Sequence, residues 1–93
     1  MRTIERSSRF KRDYQREKSG IHGKKLDELL AEILALLIED KALPYNAFDH
    51  ALIGALNDCR DCHIKPDLIL IYRKTNNTIL ELIRMGSHSE LGL

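Results

Sequence analysis

The sequence has no tryptophan and only five Phe or Tyr residues. That scarcity argues against a surface of stacked rings that reads single strands base by base. No stretch approaches the roughly 18 uninterrupted apolar residues of a membrane-spanning helix, because Glu or Asp interrupts the longest candidates. Residues 1–14 carry charge and lack the apolar centre of a secretion signal, so a cytoplasmic protein is expected. In that compartment the two cysteines stay reduced.

What is present fits one ordinary folded domain spanning residues 1–93, with 43% hydrophobic and 31% charged residues. The net charge of +1 conceals an asymmetry. Residues 1–25 hold nine Lys or Arg against three acids, and residues 26–93 hold six against eleven. The basic segment reads either as a solvated helix face or as a landing surface for nucleic acid or an acidic partner.

Residues 3–6 can form a short strand. Ser7 and Ser8 offer an N-cap for a helix over 9–18 that stops at Gly20, with Phe10 and Tyr14 on one face and charge elsewhere. Leu26, Leu29, Leu30, Ile33, Leu34, Leu37 and Ile38 repeat at helical spacing, which predicts a second helix over 24–40 with a core-facing stripe. After Pro44 the period changes. Short strands are expected at 51–53 and 58–63, with Gly54 allowing a turn between them. The apolar run 68–72 fits a central strand over 67–73, Asn76-Asn77 a hairpin turn, and 78–85 the returning strand. The class is therefore α+β: an N-terminal strand, two helices, then a twisted antiparallel sheet of three or four strands.

Cys59-Arg60-Asp61-Cys62-His63 matches the pattern of covalent haem attachment letter for letter. Such attachment belongs with export, and the segment reads as a strand with no helix to present a haem. A zinc site would need ligands from His50, His63 or His88, since there is no second cysteine pair. On a strand, Cys59 and Cys62 point to opposite faces, which disfavours both a shared metal and a redox pair. The reading adopted is two small side chains packed on a half-buried strand, with no metal and no cofactor.

His50, His63 and His88 fall at strand ends or loops, where side chains converge at the rim of a sheet, and Asp67 lies just past Pro66. A tight 64–66 connection could bring His63 and Asp67 together. RNA cleavage by transesterification needs a base for the 2′-OH, an acid for the departing 5′ oxygen and positive groups around the phosphorane. Imidazole suits both proton tasks near neutral pH. Scattered surface histidines are also common, and the pattern alone leaves that alternative open.

Three motifs in order carry a resemblance: Asp49-His50-Ala51-Leu52-Ile53-Gly54, then Arg60 through Tyr72 with its Arg-Asp-Cys-His-Ile-Lys-Pro-Asp junction, then Gly86-Ser87-His88. Together they resemble the YafQ branch of the RelE-like bacterial toxins. The resemblance implies a RelE-like, microbial-RNase-like fold and a type II toxin that cleaves mRNA in the ribosomal A site. It implies a cognate ribbon-helix-helix-type antitoxin, operator DNA contacted only through that complex, and no membrane partner. His50, His63, Asp67 and His88 match the family's active-site positions. By that likeness His88 is the general acid, His50 and His63 supply base function and phosphate contacts, and Asp67 assists as base or orienter. Arg60, Lys65 and Arg84 are the candidate RNA-phosphate contacts, with a surface or edge-strand ion pair the equal alternative for Arg60 and Arg84. The chain departs from the family at Leu56, where a Trp is found in the namesake, and at Gly92-Leu93, where an aromatic is usual. A rival reading is therefore a catalytically weak member that acts as an antitoxin-binding module.

Overall fold

The run 68–72 is buried at every position, as befits the central strand of a sheet. The computed structural model, which covers Met1–Leu93, builds the molecule around it. In chain order the elements are β1 (Thr3–Arg6), α1 (Ser8–Lys18), α2 (Gly23–Ile38), β2 (His50–Ala51), β3 (Arg60–Lys65), β4 (Leu68–Thr75), β5 (Ile79–Gly86) and α3 (His88–Leu91), with single 3-10 turns at Tyr45–Ala47 and Gly54–Leu56. The five-stranded sheet has the order β1-β5-β4-β3-β2. Strands β2 to β5 pair antiparallel, as expected, while β1 closes the far edge parallel to β5.

Helical spacing gives α2 its apolar stripe, and that stripe is the lid of the core. Leu26, Leu30, Ile33 and Leu37 pack with Phe10 of α1 against Cys62, Leu68, Leu70, Tyr72, Leu80, Leu82 and Met85. Each such leucine contributes about 1.5–3 kcal/mol by leaving water. Alternation along the strands puts the other set on the opposite face. Asp61 pairs across from Ile71 and His63 across from Ile69, away from the helices.

Two bulges tune this alternation. On β5, Ile71 faces Arg84 but Tyr72 faces Leu82, so Ile83 is an extra residue. Its carbonyl accepts the Ser7 hydroxyl at 2.6 Å, and the same Ser7 oxygen accepts the Phe10 N–H that starts α1. On β3 the register shifts between His63 and Lys65, making Ile64 the extra residue.

Several boundaries move from the expected ones. The second helix begins at Gly23 and ends at Ile38, short of Asp40, which turns with φ 57°. The strand expected at 51–53 is His50–Ala51 instead, and Ile53 is 93% exposed. The strand expected at 58–63 starts at Arg60 and runs to Lys65. Gly54 turns the chain at φ 81°, the left-handed region where glycine is favoured. After β5, Ser87 caps a single helical turn over His88–Leu91.

The larger correction concerns α1, whose non-aromatic surface is not simply solvated. Asp13 and Glu17 are buried, because β5 sends Arg84 to meet Asp13 and Arg16 folds over both acids. Cys59 and Cys62 are both buried and unpaired. Cys62 belongs to the main core, Cys59 lies outside it, and burial pushes the Cys62 thiol up to about 12. No group of three or more His, Cys, Asp or Glu side chains is arranged to hold a metal ion. No helix is long and apolar enough to cross a membrane.

Candidate functional site

Asp67 sits in the tight connection after β3, and His88 is the first residue of α3, where the helix N-terminus leaves its N–H without an internal partner. Asp67 Oδ1 takes both groups, accepting the His88 backbone N–H at 3.1 Å and lying 2.8 Å from Nδ1. The hydrogen bonds to His88 are the chief reason the Asp67 carboxyl lies below the usual range. Ser87 and Glu90 fix the start of α3 through a reciprocal capping box, each side chain meeting the other's backbone N–H. The preceding Gly86 has a steric reason: a Cβ there would come within 2.8 Å of the Arg16 guanidinium. That guanidinium crosses over to the Met85 carbonyl at 2.9 Å.

His63 stands on the open face of β3 and meets the His88 ring edge to face, with centroids 5.3 Å apart. His50 is held on the two-residue strand β2 directly across from Asp61. Its Nδ1 lies 2.8 Å from the Phe48 carbonyl and 2.9 Å from Asp61 Oδ1. One ring N–H can serve only one of them. The carbonyl has the hydrogen-bond geometry, so Asp61 Oδ1 is left buried without a donor. A carbonyl only accepts, which requires the proton on Nδ1 and leaves Nε2 with a free lone pair in the neutral ring.

Asp61 was not among the expected site residues, and it is the centre of the group. Burial raises its pKa, opposed by the charges of His50, His63 and His88. The signal that could have found it is parity: Asp61 and His63 are two apart on a strand and therefore share a face. Asp49 was also missed. It accepts from the buried Tyr72 hydroxyl at 2.5 Å and from Arg60 Nε at 3.2 Å, tying the loop before His50 to the sheet.

The structure thus brings His50, His63, Asp67 and His88 to one rim. Asp67 is bonded to His88 rather than to His63. The expected phosphate contacts divide. Lys65 has no ion-pair partner and lines a hollow with His63 and Phe48. Arg60 lies on the helix-side parity of β3, paired with Asp49, and is not gathered into the cluster. Arg84 is bound to the buried Asp13 at 2.7 Å, beside Arg9, Arg12 and Arg16. Both arginines are thus ion-paired within the chain, and Lys65 is not.

A chain in the crystal structure of the E. coli DinJ-YafQ complex is 34% identical to this one, covers 98% of each chain and superposes with a TM-score of 0.84. The sheet and its helix pair therefore define a toxin fold of the RelE-like α+β class. The family model described as "Bacterial toxin of type II toxin-antitoxin system, YafQ" matches residues 2–92. The chain belongs to that family. It is similar to the mRNA interferase toxin YafQ of Escherichia coli K12, at 32% identity over 95% of this chain and 97% of that protein. A match to the putative toxin YafQ of Haemophilus influenzae is 40% identical over 61% of this chain, and spans 59% of that relative.

Proposed function

We propose that this chain is the toxin of a type II pair and an endoribonuclease that cuts mRNA in the ribosomal A site. The observation that carries the reading is the meeting of three imidazoles and two carboxylates at one sheet rim, with His88 exposed and oriented by Asp67. His50, with its Nε2 lone pair free, takes the proton of the ribose 2′-OH. The 2′ oxygen attacks phosphorus and the bond to the 5′ oxygen breaks, leaving a 2′,3′-cyclic phosphate. His88 gives its proton to the departing 5′ oxygen, and Asp67 steadies the ring and the charge it carries. His63, between them, and Lys65 offset the charge of the phosphorane. Partners by the same reading are a ribbon-helix-helix-type antitoxin that silences the toxin, operator DNA reached only through that complex, and the ribosome.

The intact cluster favours a catalyst over a module that only binds an antitoxin. Inducing the wild-type chain and the His88→Ala variant in cells, then mapping mRNA 5′ ends, tests it. New in-frame cleavage sites with wild type alone are expected; equal growth and no new ends would refute the proposal.

A further inference from the structure

Of the five Phe and Tyr side chains, only Tyr45 and Phe48 are exposed, at 93% and 55%. Both lie just ahead of Asp49 and His50, and neither belongs to the hydrophobic core. Phe48 has φ 49° and ψ 45°, a left-handed conformation rare for a bulky residue. The backbone is thus fixed in a disfavoured state that presents the ring to solvent. The ring meets His63 edge to face at 5.4 Å, in line with the His63–His88 contact at 5.3 Å, and Tyr45 follows at 6.1 Å. Phe48 also divides two hollows, one reaching His50 and the other reaching His63 and the unpaired Lys65. Its own carbonyl holds His50.

We infer that Phe48, flanked by Tyr45, is a nucleobase-stacking site that holds a base of single-stranded RNA beside the phosphate to be cut. The inference rests on the nuclease reading and adds a substrate contact to it. A ring stacked at this point fixes the nucleotide whose phosphate lies over the imidazoles, while Lys65 supplies a cation on the adjoining side. An apolar side chain of a protein partner is the competing occupant. RNA is favoured because the aromatic ring is continuous with the proton-transfer groups and with a free cation.

The test is single-turnover cleavage of mRNA on programmed ribosomes by the full chain and by Phe48→Ala, Phe48→Leu and Phe48→Trp. Loss of stacking is expected to slow Phe48→Ala by about tenfold to hundredfold. Trp restores the rate, Leu does not, and all variants melt with wild type because the ring is outside the core. An abasic nucleotide at one position of the codon is expected to slow wild type while leaving Phe48→Ala unchanged. Full activity of Phe48→Ala, or rescue by Leu, would overturn the inference, the latter by showing that apolar packing on His63 suffices. Full cleavage by Phe48→Ala joined to loss of co-purification with the antitoxin of the neighbouring gene would assign the ring to that partner instead. If wild type itself fails to cleave, the nuclease reading falls first. A normal wild-type rate with an indifferent Phe48 removes the stacking site alone.

Discussion

Asp67 grips His88 at two points, the backbone N–H at 3.1 Å and ring Nδ1 at 2.8 Å, with one carboxylate oxygen serving both. An exposed side chain is thereby given a fixed position. Replacing His88 by Ala is expected to lower single-turnover cleavage by about 10²–10⁴-fold, the range for a lost general acid. Asp67→Asn keeps a hydrogen-bonding oxygen but not the charge, and is expected to slow cleavage less. Both residues are exposed, so thermal melts should match wild type, and a large drop in melting temperature would contradict this placement.

The acid limb of stability should report the surface carboxylates. Asp40 bridges Arg2 and Lys74, and these partners lower its pKa to about 2, while Asp67 is lowered by His88. A carboxyl with a lowered folded pKa stabilises above its unfolded value, here 3.8, and loses that contribution as pH falls through the folded value. Urea unfolding followed downward from pH 5 is expected to weaken below about pH 4. In Asp40→Asn the decline toward pH 2 should be shallower.

Asp61 carries the opposite sign. Its folded pKa is raised by burial, so its ionised form costs stability once pH exceeds the unfolded value. Asp61→Asn should raise stability at neutral pH and lose that advantage in acid, where the carboxyl of the wild type is protonated in both states. The same change is expected to slow cleavage, because His50 loses the carboxylate charge 2.9 Å from its Nδ1. A variant that gains stability and keeps the full rate would remove Asp61 from the site.

Asp13 is 3% exposed and joins three donors from two elements, Arg16 on its own helix α1 and both Arg84 and the Met85 N–H of β5. Asp13→Ala leaves Arg84 and the Met85 N–H without their acceptor and should cost about 3 kcal/mol, measured as a fall in the urea midpoint. Asp13→Asn should retain part of that loss, since it can still accept from Met85.

The helices and the central strand were legible because their signals are local. The stripe from Leu26 to Ile38 and the run 68–72 declare their burial without reference to anything distant. The gathering of His50, His63 and His88 was legible through the motifs. Which group each would touch was not: Asp67 precedes β4 and His88 follows β5, and they meet only because these adjacent strands pair Ile69 with Gly86. Charged residues misled most. Asp13 on α1 and Asp61 on β3 look like surface, and their burial becomes visible only when Arg84 and His50 arrive from elsewhere in the chain.

The extra residue at Ile83 governs more than its own strand. Remove it and β5 falls out of phase: Met85 turns to the open face, Arg84 into the apolar layer, and Ser87 and His88 leave the strand on the wrong side. A homologue shortened by that single position would still spell Gly-Ser-His at its end, yet its last imidazole would be aimed away from the other two.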